Sequence, residues 1–161
     1  MFILFSIIAL AVIDRLSKIL AVSVLNGSEE IIIIPGLVKL RLLNGGNTGA
    51  AFGMFQGNTI ILIIFTAIFI AIGIYILYYK NFTLKLSMIS VLLIVAGGIG
   101  NLYDRIVYKS VTDFIEFIFI DFPTFNVADI YVTIGSVLLI LSILILRNEP
   151  FFLEKSSDHA E

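Results

Sequence analysis

NTIILIIFTAIFIAIGIYILYY, residues Asn58–Tyr79, identifies this chain as membrane-spanning. Its 22 residues hold no ionisable side chain except tyrosine. About 20 apolar residues suffice to cross the hydrocarbon core of a bilayer. Tyr75, Tyr78 and Tyr79 close the run as an aromatic belt closes a span at the interface. Lys80–Thr83 then forms a tight hairpin, and a second apolar run covers about Leu84–Tyr103, with Lys85 near its start. Working outward, a third run covers Asp129 or Ile130 to Leu146. A fourth covers Phe2–Leu25, interrupted by Asp14, Arg15 and Lys18. The charges of this first run follow Ile13, and the apolar pattern resumes through Ile19–Leu25. A cleaved leader carries its positive charge before the apolar run, so a retained helix is expected.

Composition agrees. Of the 161 residues, 60% are hydrophobic and 14% charged, against about 45–50% and about 25% in soluble domains. Mean hydropathy is +1.11. There are too few polar residues to cover a soluble surface, which excludes a soluble enzyme, a disordered chain and a nucleic-acid module. A net charge of −2 offers nucleic acid no basic field. Cysteine is absent and the one histidine, His159, sits in a polar tail. Disulfides, thiolate nucleophiles, His-based triads and multi-His metal sites are thereby excluded. Any chemistry rests on carboxylates, hydroxyls, amides and cations.

The expected fold is a single α-helical integral membrane domain over 1–161. It has four transmembrane helices at about 2–25, 58–79, 84–103 and 129–146. A small β-rich platform in 26–57 and an active-site segment in 104–128 lie on one side, with a loop or short-helix lid. The tail, 147–161, is polar and expected to fray. Within 26–57, Val38, Leu40 and Leu42 alternate with Lys39 and Arg41, the period of a half-buried strand. Pro35-Gly36 precedes it as a turn. The positive-inside rule does not decide orientation: Lys80, Lys85, Arg147 and Lys155 on one side balance Lys39, Arg41, Arg105 and Lys109 on the other.

In so apolar a chain, ionisable groups near the spans carry the information, because a carboxylate at membrane depth costs ~2.5–3.5 kcal/mol on insertion scales. Asp14 and Lys18 share a helix face and can pair, either as a self-neutralised pair or as part of a site. Gly97-Gly98-Ile99-Gly100 ends the third span and lets helices approach closely. Asn101, Asp104 and Arg105 follow, with Asp104 or a neighbouring carboxylate free to pair with Arg105. Asn47 lies in the glycine-rich stretch Asn44–Gly53, which reads as a turn or as an amide offered to backbone or substrate. Asp113 is flanked by apolar residues. Asp129 opens the last span with Asn126 three residues before it. The residues alone allow Asp129 as a helix N-cap or as a catalytic group. Asp113 and Asp129 flank span ends on one side, 16 positions apart, so they can meet. Two adjacent carboxylates share one proton: the ionised one takes a proton from water and the protonated one donates to a carbonyl oxygen. That chemistry needs neither metal nor cofactor.

Taken in order, five motifs resemble those of the lipoprotein signal peptidase (signal peptidase II) family. They are Asp14-Arg15-Leu16-Ser17-Lys18, Asn47-Thr48-Gly49-Ala50-Ala51-Phe52, Gly100-Asn101-Leu102-Tyr103-Asp104-Arg105, Val111-Thr112-Asp113-Phe114 and Asn126-Val127-Ala128-Asp129. The resemblance implies a bacterial cytoplasmic-membrane aspartyl endopeptidase, monomeric and without cofactor. Its substrate is a prolipoprotein carrying diacylglycerol on a cysteine, cut just before that cysteine. It implies Asp113 and Asp129 as a catalytic dyad, and Asn47, Asn101, Arg105 and Asn126 as lining or substrate-holding residues. Asp14 and Lys18 take a structural or lining role. It also implies cytoplasmic termini with the active site towards the outer face, next to membrane lipid. Arg15, Gly45-Gly46 and Ser110 depart from the family pattern, which has a Gln, a bulkier residue and a glycine there. Two other functional classes fit the residues less well. A proton-coupled transporter needs ionisable groups at the midplane, where only Asp14 approaches. An accessory protein without chemistry leaves the convergence of aspartates and asparagines on one side without a purpose.

Overall fold

The computed structural model describes residues 2–25, 30–43, 45–49, 57–146 and 149–153. Asn44, the 50–53 part of the glycine-rich stretch, Arg147, Lys155 and His159 lie outside them.

Four long helices form: α1 (Phe2–Leu25), α2 (Thr59–Tyr79), α3 (Lys85–Tyr108) and α4 (Val127–Ile145). Among the described residues α2, α3 and α4 are long and apolar enough to cross a membrane. At 24 residues, α1 matches them in length but carries Asp14, Arg15 and Lys18. The burial pattern is inverted relative to a soluble protein. Phe2, Ile60, Phe69 and Leu144 are 65–74% exposed, whereas Asp14, Lys18, Asn101, Asp104 and Asn126 are buried. With lipid as the solvent, apolar side chains gain nothing by turning inward, and polar ones must pair with each other.

The third helix is the axle of the bundle, packed against α4, α2 and α1. It runs five residues past the expected end at Tyr103. Asn101, Asp104 and Arg105 are therefore helical residues, not a loop after the span. The glycines do not end the helix. They let neighbours come close, and intrahelical hydrogen bonds are obligatory at this depth. The helix stops at Lys109, which caps it in the left-handed conformation (φ 62°). On α4, a Cβ added at Gly135 would come 2.8 Å from the Ser90 carbonyl oxygen and 3.1 Å from the Ile94 amide of α3. Backbone cannot yield as a side-chain tip can, so Gly135→Ala is expected to force the two helices apart. A loss of about 1–3 kcal/mol, as for other overpacked cores, is checked by thermal unfolding in detergent.

The expected platform is a three-stranded antiparallel sheet in the order β1 (Ile31–Ile34), β2 (Val38–Leu40), β3 (Ile115–Phe117). Its apolar face packs on the end of α1: Ile31, Leu40 and Ile115 meet Ala21, Leu25 and Phe114. On the other face Lys39 pairs with Glu30 at 2.8 Å, and Arg41 with Glu116 at 2.7 Å. No helix forms between Lys109 and Asn126, so that segment supplies no short-helix lid. Of the polar tail, residues 149–153 are described. They dock on the α2–α3 hairpin: Thr83 donates to the Pro150 carbonyl at 2.6 Å, and Phe82 packs edge-on against Phe151 and Phe152.

Candidate active site

Pairing beyond the named strands builds the site. Arg41 N donates to Phe114 O at 3.0 Å and Leu43 N to Asp113 O at 3.3 Å. Asn47 and Val111 then exchange both backbone hydrogen bonds at 2.8 Å. This zipper lays Asn47 beside Asp113, and its Nδ2 donates to Asp113 Oδ2 at 2.9 Å. On the other side, Ile115 and Phe125 exchange backbone hydrogen bonds at 2.9 Å. That brings Asn126 to Asp113, with Nδ2 donating to Oδ1 at 2.6 Å. Asp113 is thus held from two flanking backbone pairings and is 2% exposed.

Asp129 comes from the first turn of α4. The N-cap is Asn126, which accepts from Asp129 N at 3.1 Å, while Asp129 Oδ2 accepts from Asn126 N at 3.1 Å. Asp129 is therefore not the N-cap that the residues alone allow but the third helical residue, whose side chain closes the capping box that Asn126 opens. This capping box occupies one carboxylate oxygen and leaves Oδ1 to accept from Asn101 Nδ2 at 2.7 Å. All four oxygens of the two aspartates therefore accept a hydrogen bond.

Behind them lies a buried ion cluster. Lys18 Nζ donates to Asp14 Oδ2 at 2.9 Å, Asp104 Oδ2 at 3.1 Å and Asn101 Oδ1 at 3.0 Å, which uses all three ammonium hydrogens. Asp14 Oδ1 accepts from Ala128 N at 2.9 Å and so tethers the start of α4 to α1. Asp104 accepts from Thr112 N at 3.2 Å, one residue before Asp113. The partners of Asp104 are Lys18 and Arg15, the latter at 3.3 Å, and not the adjacent Arg105. Neighbours i and i+1 on a helix point in different directions. Arg15 also binds the Tyr108 hydroxyl at 2.5 Å and lies over the rings of Tyr103 and Tyr108. Arg105 instead turns to the cleft. Its Nη2 donates to the Gly49 carbonyl at 3.1 Å, and its buried Nε has no partner among the described residues. Two of the departures from the family pattern touch: a Cβ on Gly46 (φ +69°) would come 2.5 Å from Ser110 Oγ. A small residue at 46 leaves the space that the Ser110 hydroxymethyl fills.

The cleft, of about 440 Å³, is lined by Asn47, Asn101, Arg105, Asp113 and Asp129 at its polar end. Phe117, Phe122, Pro123 and Phe125 form one wall, and Ile130 and Ile134 of α4 continue it down the helix. Asn126 is buried beneath this floor, and Asp14 and Lys18 lie behind it. Sequence reasoning missed the aromatic wall. Its signal was the density of phenylalanine between 114 and 125.

Burial, together with the negative charge of Asp129, pushes the Asp113 carboxyl up to about 6. A carboxyl whose folded value is raised contributes stability fully present below the unfolded value, near 3.8, and lost as pH rises through 6. Asp113→Asn does not titrate. Its stability relative to wild type is expected to climb between pH 4 and 7 by up to about 3 kcal/mol, read as converging or crossing melting curves in detergent.

A family model for signal peptidase (SPase) II matches residues 6–145. The lipoprotein signal peptidase of Clostridium novyi (strain NT) is 41% identical over 138 residues, covering 83% of this chain and 90% of that one. That of Streptococcus pyogenes serotype M5 is 39% identical over 136 residues, covering 84% and 88%. Two bacterial membrane enzymes solved by the in meso method share the fold. The 2.3 Å structure aligns with TM-score 0.79 at 24% identity over 99% of this chain and 93% of that one. The 1.9 Å structure gives 0.75 at 27% identity over 89% and 92%. With the model match spanning nearly the whole bundle and relatives near 40% identity, this multi-pass membrane chain belongs to the signal peptidase II family, the lipoprotein signal peptidases.

Proposed function

We propose that the chain is an aspartyl endopeptidase that removes the signal peptide of diacylglyceryl-modified prolipoproteins by cutting before the lipidated cysteine. The observation that carries this reading is the pair Asp113 and Asp129 at the head of an apolar cleft, with every carboxylate oxygen held by an amide. The pair shares one proton, and burial keeps it on the dyad at higher pH than an exposed carboxyl would allow. The ionised carboxylate takes a proton from a water lying between the two. The resulting hydroxide attacks the scissile carbonyl carbon, and the protonated carboxyl donates to the developing oxyanion. Collapse of the tetrahedral intermediate breaks the C–N bond: one hydroxyl returns its proton to the carboxylate that supplied it, and the other carboxyl gives the proton taken from water to the leaving amine. Asn47, Asn101 and Asn126 hold the carboxylates so that they do not reorganise during the reaction. Arg105, which lines the polar end of the cleft, binds a substrate carbonyl. The diacylglyceryl chains lie along the apolar wall between α4 and the phenylalanines, so lipid burial sets the scissile bond at the dyad. In this reading α1 is the fourth span, both termini are cytoplasmic, the platform faces outward and the monomer is the working unit.

The test is a gel-shift assay with the purified chain in detergent. The diacylglyceryl precursor should be processed and the unlipidated precursor should not, and EDTA should leave the rate unchanged. Equal processing of both precursors, or loss of activity with chelator, would overturn the substrate or the mechanism respectively.

A further inference from the structure

The tip of the platform carries an apolar surface that the catalytic reading does not use. Ile32, Ile33, Ile34 and Leu37 of the β1–β2 hairpin are 47–57% exposed. Ile118, Phe119 and Ile120, just after β3, are 41–58% exposed. The two groups are one surface, because Ile118 N donates to the Leu37 carbonyl at 2.9 Å. Strands with one face on a core ordinarily alternate apolar and polar residues. Here four consecutive isoleucines put apolar side chains on both faces of an edge strand. In water, such an edge is an aggregation hazard that proteins usually blunt with charge. The sheet does have charges, but they sit elsewhere. Glu30, Lys39, Arg41 and Glu116 pair with one another away from the Pro35-Gly36 turn. Asp121 is the one ionisable residue in the 118–122 loop.

The surface is also continuous with one that faces lipid. The 118–125 loop runs directly into Phe122, Pro123 and Phe125, which line the cleft together with Ile130 and Ile134 of α4. Ile134 is 47% exposed on a helix long and apolar enough to span. The apolar stripe thus rises along α4, passes the cleft and ends on the hairpin tip. We propose that the tip, Ile32–Leu37 with Ile118–Ile120, is a lipid-binding edge that dips into the adjacent leaflet. It works as an interfacial anchor does, with apolar side chains reaching the boundary between headgroups and acyl chains. The sheet is then held at the membrane surface at both ends, by α1 and by lipid, and the cleft between it and α4 opens at acyl-chain level.

The chain contains no tryptophan, so a single introduced indole reports without background. Ile33→Trp, Phe119→Trp and, on the charged part of the sheet, Arg41→Trp are placed in phosphatidylcholine nanodiscs with or without acyl-brominated lipid. The substituted sites are exposed, so the fold tolerates the ring. Ile33→Trp and Phe119→Trp should emit at short wavelength and lose about half or more of their intensity to the bromines, as expected for side chains at the acyl boundary. Arg41→Trp should emit as an indole in water and keep its intensity. Water-like, unquenched emission from the first two would overturn the proposal by leaving the tip in solvent. Short-wavelength emission without bromine quenching would overturn it in favour of protein contact, such as pairing with a second copy. Neither readout depends on peptidase activity.

Discussion

Asp113→Asn and Asp129→Asn are each expected to lower kcat for precursor processing by about 10³-fold or more, because in the proposed mechanism each removes a proton acceptor or donor. The same substitutions leave the bundle assembled. The cost in stability can be read from the amide network. Asn126 is oriented by its carbonyl oxygen, which accepts from Asp129 N, and Asn47 by its own, which accepts from Gly49 N. Neither can flip freely, so an asparagine at 113 sets one NH₂ against another. The loss is that of one buried hydrogen bond, about 1–3 kcal/mol near neutral acidity. At position 129 the new amide faces the Asn101 NH₂ and the Asn126 N–H, with the same result. Gel filtration and thermal unfolding should show a folded protein while the gel-shift assay shows intact precursor. Wild-type processing by either variant would remove that residue from the dyad.

Lys18→Met is expected to be the most destabilising single substitution in the bundle. It leaves Asp14 and Asp104 buried at 1% and 0% exposure without the ammonium between them. Breaking a buried ion pair from one side costs about 3–5 kcal/mol. The damage extends to the site through three bonds. Asn101 loses the donor that fixes its carbonyl oxygen, so its NH₂ is no longer obliged to face Asp129. Asp14 loses the ammonium that compensates it, and Asp104 keeps only Arg15 at 3.3 Å, while the two hold Ala128 N and Thr112 N. Lys18→Arg does not restore the arrangement, because a planar guanidinium cannot present three hydrogens around one point. Adding Asp14→Asn to Lys18→Met removes one uncompensated charge while keeping an oxygen for Ala128 N. The double variant should unfold at a higher temperature than Lys18→Met alone. Equal or lower stability would show that packing of the lysine stem, and not its charge, supports the bundle.

Much of the fold could be read from residue order. The apolar run ending at Tyr79 became α2 with its start moved by one residue, and Val38–Leu40 became a strand. The Asp14–Lys18 pair follows from helical spacing alone. The end of α3 was misread because glycines and charges signal a helix end in water, whereas in this bundle they mark close packing and an inward polar face. Proximity in sequence offers Asp104 or a neighbouring carboxylate as a partner for Arg105, yet the cations on Asp104 are Arg15 and Lys18 of α1. Asn126 and Asp129 were legible as neighbours. That Asn126 caps the helix while Asp129 keeps Oδ1 for the Asn101 amide was not.

The sequence by itself determined that the chain is a membrane protein with a handful of polar groups near its span ends. Hydropathy adds up over a local window, and no tertiary contact is needed to evaluate it. It also restricted the chemistry to carboxylates and amides, because composition leaves nothing else. Tertiary structure alone decided which of those groups meet. Lys18 and Asn101 are 83 positions apart, Arg15 and Asp104 89, and Asp14 and Ala128 114. Such pairings depend on which helix faces the bundle turns together, and in lipid that choice is driven by the need of each buried charge for a partner.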